Sequence, residues 1–162
     1  MPTVISVGKI SGNGRTNVIP DEVSLEGIIR TYDDTWRDEV RNRIRKIAVS
    51  IAEGMGASCE VIINQGYPAL ENDPEVTERI RSKALDYLGQ GRVFDLEPRM
   101  TAEDFAYYLK EVPGCFYRLG IRNEALGITS NLHTSTFNVD EESLENGMGL
   151  LSWLAINELA LK

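Results

Sequence analysis

Three side chains with distinct chemistry are spread over this chain: the amide of Asn17, the guanidinium of Arg30 and the imidazole of His133. An amide N–H stabilises a developing oxyanion, a guanidinium holds a carboxylate through two parallel hydrogen bonds, and an imidazole ligates metals. Each also has a simpler explanation, because Asn17 suits a turn, Arg30 at a strand end suits solvent, and a lone loop histidine is commonly structural. The residues alone leave both interpretations open.

His133 is the single histidine, and this limits what the chain does with a metal. A catalytic zinc takes about three protein ligands and a water, and a two-metal site takes more. Carboxylates, or Cys59 and Cys115, would have to supply the remaining ligands. The acidic pair Glu103-Asp104 lies at the start of a predicted helix, where the helix dipole alone favours it. The residues alone therefore do not predict a complete metal site.

The composition excludes some classes of function. The chain has 25 acidic and 17 basic residues and a net charge of −8, which disfavours a nucleic-acid partner. It has no apolar run long enough for a membrane span and no visible signal peptide. Cys59 and Cys115 form no CxxC pair and are typical of two buried free thiols in a reducing compartment. We therefore expect a cytoplasmic protein.

The first part of the chain is predicted to be an α+β layer. Alternating and β-branched residues predict strands over residues 4–10 and 23–29, the second of them half-buried. Asp33, Asp34 and Thr35 offer caps for a helix that runs to about Met55. Residues 58–64 alternate again and predict a third strand. The resulting order is strand, strand, helix, strand, with the helix packed on one face of the sheet.

The second part is predicted to alternate helices with short strands. A helix begins at Pro74, after a cap at Asn72 or Asp73, and a second short helix capped by Thr101 runs to Leu109. Short strands are predicted over residues 92–96 and 115–119. A long helix over residues 140–161 ends the chain. The predicted buried stripes are Val76, Ile80, Ala84 and Leu88 in the first helix, and Leu144, Met148, Leu151, Ala155 and Leu159 in the last.

Two ordered runs of motifs resemble one known family. The first runs from Gly8-Lys9-Ile10 through Asn17-Val18-Ile19-Pro20-Asp21 to Gly27-Ile28-Ile29-Arg30-Thr31. The second consists of Gly66-Tyr67-Pro68-Ala69-Leu70, Met100-Thr101-Ala102-Glu103-Asp104-Phe105, Pro113-Gly114, Tyr117-Arg118-Leu119-Gly120, Leu132-His133-Thr134 and Phe137. They are similar to the zinc-dependent aminoacylase and carboxypeptidase G family. The nearest branch contains N-acyl-amino-acid amidohydrolases, hippurate hydrolases, auxin-conjugate hydrolases and N-acetyldiaminopimelate deacetylases.

This resemblance implies an α/β fold in two parts. Residues 1–66 would be part of a lid or dimerisation domain, and residues 67–162 the C-terminal segment of a phosphorylase/hydrolase-like catalytic domain. It implies hydrolysis of the amide of N-acyl amino acids or small peptides by a metal-activated water. Asn17 would polarise the carbonyl, Arg30 would bind the substrate carboxylate, and His133 would ligate one of two ions, zinc or another divalent metal. The resemblance assigns no ligand role to the Glu103-Asp104 segment.

The family's other metal ligands and its general-base glutamate have no match in these residues. We therefore expect a fragment or truncated product that is inactive alone, with weak or no metal binding. The alternative is a non-catalytic dimerisation or interaction module, since lids of this family pair edge to edge and the resemblance implies a homo-oligomer through the lid sheet. A third interpretation is that a separate chain completes the active site. The acyl group and the amino acid stay open.

Overall fold

The computed structural model describes residues 1–160, and within this range the chain is mixed α/β, as predicted. The strands are β1 (Thr3–Gly12) and β2 (Val23–Thr31). The helices are α1 (Asp34–Gly54), α2 (Pro74–Leu88), α3 (Phe105–Glu111) and α4 (Glu142–Leu159). No helix in this part of the chain is long and apolar enough to cross a membrane.

The chain divides into two compact units. The first combines Met1–Glu71 with Pro98–Tyr108, and the second combines Asn72–Glu97 with residues 109–160. The segment that contains Glu103-Asp104 therefore belongs to the same unit as the two strands. The domain boundary expected at residues 66/67 stays a prediction.

The two strands form one antiparallel ladder that runs from the pair Thr3–Thr31 to the pair Gly12–Val23. A bulge between Val7 and Lys9 leaves Gly8 as the extra residue. The prediction that β2 is half-buried is wrong for most of the strand, because Val23 and Leu25 of its expected buried face are 50% and 62% exposed. Apolar residues of both strands stay exposed in this chain, since few other residues cover the ladder.

Helix α1 begins where predicted, because the Asp33 side chain accepts a hydrogen bond from the Trp36 N–H at 2.6 Å. Two arginines one turn apart then hold the extended chain that returns beside the helix. Arg37 donates to the Tyr67 carbonyl at 2.9 Å, and Arg41 donates to the carbonyl of Gln65. These bonds fix the Gly66-to-Leu70 region against α1, so a segment without regular secondary structure is still positioned.

All three further predicted strands, one of them from alternation, are absent in the described residues. Residues 58–64, 92–96 and 115–119 belong to no ladder. Alternation reports an extended chain, but a strand also needs a neighbour for its N–H and C=O groups. At Phe116 a side chain takes that place, because Asn72 both donates to its carbonyl at 2.9 Å and accepts from its N–H at 2.8 Å.

Helix α3 begins at Phe105, three residues later than a cap at Thr101 predicts. Thr101 is therefore not its cap. The first turn is closed instead by backbone bonds, from Ala106 N–H to the Glu103 carbonyl at 3.3 Å and from Tyr107 N–H to the Asp104 carbonyl at 3.0 Å. Glu103 and Asp104 consequently lie just before the helix and not within its first turn.

The core of the second unit lies between α2 and α4. The side-chain carboxylate of Asp73 caps α2, and Arg79 of α2 forms a two-pronged ion pair with Glu158 of α4. This contact raises the pKa of the Arg79 guanidinium, chiefly through its hydrogen bond to Glu158. The predicted stripe of α2 is confirmed at its centre, because Ala84 is buried against α4 with Ile80 and Leu88 packed around it.

The predicted buried stripe of α4 is wrong. Its buried residues are Ser143, Leu150 and Leu154, whereas Met148 and Leu151 are 68% and 60% exposed. Both stripes have helical spacing, so spacing alone did not separate them. Small residues decide the outcome: a Cβ at Gly147 would lie 2.7 Å from Leu119 Cδ2, so this face permits a closer approach of its neighbours. The predicted end of the helix at Leu161 lies outside the described residues.

We expect Gly27→Ala to destabilise the ladder by about 1–3 kcal/mol, the usual cost of overpacking. A Cβ at Gly27 would overlap the backbone oxygen of Ser6, which cannot rotate away. Gly8→Ala is the matched control, since a Cβ added there would meet nothing within 4 Å. Urea unfolding followed by circular dichroism measures both variants. Equal stabilities would contradict the tight crossing at Gly27.

Candidate functional site

Asn17 lies at the tip of the hairpin that joins β1 to β2. Arg15 and Val18 close the tip through two backbone hydrogen bonds, with Arg15 N–H to Val18 O at 2.9 Å and Val18 N–H to Arg15 O at 3.1 Å. The tip borders an open depression of about 760 Å³, lined by Gly12, Gly14, Arg15, Thr16, Asn17, Val18, Ile19 and Pro20. Asn17 therefore does lie in a turn, as its simpler explanation expects. The turn holds its side-chain amide at an exposed edge of this depression.

Arg30 lies near the opposite end of the same ladder, paired with Val4. Its Nη1 donates to the Met100 carbonyl at 2.6 Å, and two residues later the Tyr32 hydroxyl donates to the Pro98 carbonyl at 3.0 Å. Tyr32 lies one residue beyond the end of β2, and the two side chains together hold the chain at residues 98–100. The other N–H groups of a guanidinium point along different directions and are compatible with a carboxylate.

The ladder separates the two predicted substrate contacts. Arg30 lies seven residue positions after Val23 at the other end of β2, which corresponds to roughly 23 Å at about 3.3 Å per residue. Asn17 lies in the connection beyond that end. A single small N-acyl amino acid cannot span this length, so one copy of the ladder does not offer both side chains to the same substrate.

His133 lies in the other compact unit, in an exposed loop with unusual backbone geometry. Its φ of 64° makes it the one non-glycine residue with positive φ in the part of the chain that the structure describes. Hydrogen bonds on both sides hold the loop: Thr134 Oγ1 donates to the Asn131 carbonyl at 2.8 Å, and Ser130 and Thr136 hydroxyls lie 2.8 Å apart. Strained residues of this kind concentrate at functional sites.

The described residues do not complete a metal site. Within residues 1–160, no group of three His, Cys, Asp or Glu side chains is close enough to hold an ion. His133 therefore supplies at most one ligand, and a tetrahedral or two-metal centre needs several more. The expectation that these residues bind metal weakly or not at all stays a prediction.

Sequence reasoning left Tyr32 out of the candidate residues and named Tyr67 only as part of a motif. The signal for Tyr32 was its position two residues after Arg30, just beyond the end of β2. Tyr67 is 44% exposed and meets Tyr107 edge to face with ring centroids 5.9 Å apart. Tyr117 is partly buried, and burial together with Cys115 raises the pKa of its phenol.

Comparisons with known proteins bear on these residues. Residues 3–157 match the model of peptidase family M20/M25/M40. The chain is 38% identical to thermostable carboxypeptidase 2 of Saccharolobus solfataricus over 156 aligned residues. This aligned region covers 96% of this chain and 39% of that protein. It is 32% identical to N-acetyldiaminopimelate deacetylase of Pediococcus pentosaceus over 149 aligned residues. This aligned region covers 90% of this chain and 36% of the deacetylase.

A solved structure agrees in fold. The crystal structure of the Bacillus subtilis YXEP protein, described as a dinuclear metal-binding peptidase from the M20 family, superimposes with a TM-score of 0.82 at 30% identity. The superposition covers 98% of this chain and 42% of that one. The chain thus spans about two fifths of the length of the relatives that it matches.

We expect the loop backbone at His133 to discriminate among substitutions by their tolerance of positive φ. The free energy of unfolding of His133→Asn should lie within about 0.5 kcal/mol of the parent's, because asparagine readily adopts positive φ. His133→Val should lower the free energy of unfolding by about 1–3 kcal/mol, since a β-branched residue is strained at positive φ. Thermal unfolding measures the difference, and Leu132→Val is the neighbouring control with ordinary φ. A stable His133→Val variant would refute the strained loop.

Proposed function

Because this chain belongs to peptidase family M20/M25/M40, we propose that it is part of a metal-dependent amidohydrolase that cleaves the amide of N-acyl amino acids or small peptides. The observation that carries the proposal is the match over residues 3–157, which includes Asn17, Arg30 and His133. The names of relatives support amide chemistry, since they include a carboxypeptidase and an N-acetyl deacetylase. The acyl group and amino acid are not part of the proposal.

The chain's own residues would bind and polarise the substrate. The exposed amide of Asn17 would donate an N–H to the carbonyl oxygen, where negative charge develops during hydrolysis. Arg30 would hold the substrate carboxylate with the N–H groups that do not face Met100. His133 would contribute one imidazole to a divalent metal centre, zinc in our proposal, whose chemistry would be activation of the attacking water. The dinuclear metal peptidase of similar fold supports this role.

We expect the chain by itself to be inactive. The described residues hold one histidine and no cluster of metal ligands, so no group within them replaces the missing ones. Purified protein should show no turnover of N-acetyl or N-benzoyl amino acids above buffer with zinc or manganese added, as measured by release of the free amine.

His133→Asn is the control for that experiment, because it removes the imidazole and tolerates the loop geometry. The variant and the parent should give the same background rate. Turnover that appears only in the parent would contradict the expectation of inactivity, and it would show that this chain assembles a working centre.

We further propose that the chain forms a homo-oligomer through the edge of the β1–β2 ladder. Both strands are edges, and the apolar side chains on them are exposed, which makes the ladder a template for pairing. Antiparallel pairing of the same strand from two copies would bring the Asn17 end of one beside the Arg30 end of the other. This arrangement would also offer both side chains to one substrate. A purely non-catalytic dimerisation module would use the same surface.

Light scattering tests the oligomer. We expect a dimer at micromolar concentration, and we expect Leu25→Lys to raise the monomer fraction, because a lysine on an edge strand opposes pairing. Met55→Lys is the control, since this residue is 82% exposed but lies outside the ladder. A monomer at these concentrations, or equal effects of the two variants, would contradict the proposal.

A further inference from the structure

The sequence contains the pair Asn-Gly twice, and the two copies lie in different environments. Asn13-Gly14 follows the last pair of the ladder, Gly12–Val23, and both of its residues are exposed. Asn146-Gly147 lies inside α4. No other asparagine of the sequence precedes a glycine. One local chemistry can therefore be compared in an irregular segment and in a helix of the same chain.

An asparagine that precedes a glycine is able to react with the main chain that follows it. The backbone nitrogen of the glycine attacks the side-chain carbonyl carbon, a C–N bond forms, and ammonia leaves with the proton of that nitrogen. Glycine favours this attack, because it has no Cβ beside the nitrogen. Water then opens the resulting succinimide ring at either carbonyl and gives aspartate or isoaspartate. The sequence of steps consumes one water, releases one ammonia and needs no oxidant.

The backbone nitrogen of Gly14 is available for this attack. Within residues 1–160, the Gly14 N–H forms no hydrogen bond, and the Asn13 side chain is exposed. Asn17 in the same hairpin differs, because the N–H of Val18 after it donates to the Arg15 carbonyl at 3.1 Å. Val18 also carries a β-branched side chain next to its nitrogen. Of these two asparagines, Asn13 therefore has the more reactive successor.

Helix α4 protects the second copy of the pair. Inside a helix the N–H of Gly147 is bonded to the carbonyl four residues earlier, and the Asn146 side chain donates to the Glu142 carbonyl at 3.0 Å. Gly147 also lies one turn before Leu150, which belongs to the buried cluster of this unit. Attack by its nitrogen would require local opening of a packed helix, which is a sparsely populated state.

The turn itself maintains glycine after Asn13. A Cβ at Gly14 would lie 2.9 Å from the Val18 carbonyl oxygen and 2.9 Å from Pro20 Cδ. That same oxygen accepts the N–H of Arg15 and so closes the turn. A larger residue at position 14 would strain this closure. The geometry of the turn thus preserves the residue that makes Asn13 reactive.

We propose that Asn13 is a site of spontaneous modification, at which the folded chain forms a succinimide and then aspartate or isoaspartate. The inference does not depend on the proposed function. Each conversion adds one negative charge to a chain of net charge −8. Isoaspartate also adds one carbon to the main chain beside the Gly12–Val23 pair. This insertion should loosen the adjacent end of the ladder, because its hydrogen bonds depend on matched spacing along both strands.

Incubation of the intact chain in oxygen-18 water tests the proposal. Peptide mass spectrometry follows the converted fraction at Asn13, Asn17 and Asn146, and the heavy oxygen marks conversion that occurs during incubation. We expect Asn13 to convert at least about tenfold faster than either of the other two, since α4 must open before Gly147 reacts. Conversion should be faster in mildly alkaline buffer than in neutral buffer, because the attacking nitrogen must lose its proton. Equal rates at Asn13 and Asn146 in the folded chain would overturn the proposal.

Urea separates the effect of the helix from that of the dipeptide. In urea that unfolds the chain, Asn146 should reach the rate of Asn13, because both then precede an unrestrained glycine. Asn17 should stay slow, because Val18 keeps its branched side chain. A rate at Asn146 that stays low after unfolding would contradict the protection by α4 on which the inference rests.

Two variants at position 13 test the consequence for the ladder. Asn13→Asp introduces the charge without the additional main-chain carbon, and Asn13→Gln keeps an uncharged amide and should resist conversion. After long incubation the parent should unfold at a lower temperature than Asn13→Asp, whereas Asn13→Gln should be unchanged by incubation. An incubated parent that carries isoaspartate and unfolds at the same temperature as Asn13→Asp would overturn the proposed loosening of the ladder.

Discussion

The antiparallel ladder between β1 and β2 is the constraint on which the candidate chemistry depends. Its register fixes Arg30 opposite Val4 and leaves the hairpin tip beyond Gly12 and Val23. The length of the ladder follows from the rise per residue in a strand, so no rearrangement of side chains removes the separation. Contact of one small molecule with both Asn17 and Arg30 would therefore require a second copy of the ladder.

The ladder is also poorly covered. Fully buried apolar residues are few in the described chain, and the cluster of Ala84, Leu150 and Leu154 lies in the second compact unit. Apolar strand side chains that stay exposed favour association, since exposed apolar surface of this kind marks interaction sites. The exposed stripe of α4, including Met148 and Leu151, has the same character. Relatives more than twice as long as this chain have the additional residues to cover such surfaces.

The sequence predicted those elements whose formation depends on local interactions. Asp33 and Asp73 cap α1 and α2 as expected, because an N-cap bond joins residues three positions apart. Strands over residues 58–64 and 115–119 were predicted wrongly, because pairing depends on a distant partner that the local sequence does not reveal. The buried face of α4 was predicted wrongly for a related reason. Which of its two apolar faces is buried depends on where small residues such as Gly147 let a neighbouring side chain approach. Of the site, the motifs indicated Asn17, Arg30 and His133, and the two strands were predicted, but not the register that places Asn17 and Arg30 at opposite ends of the ladder.

The strained loop at His133 bears on what limits metal binding. A positive φ at a non-glycine residue costs about 1–2 kcal/mol, and it persists only where neighbouring contacts hold the backbone. Here the hydrogen bonds made by Ser130 and Thr134 lie within the loop itself, so its own sequence provides those contacts. The histidine is therefore ordered in advance and needs no ion to shape it. In the proposed role one imidazole would still offer a single bond, so the number of ligands, and not the order of this loop, would limit the affinity for a metal.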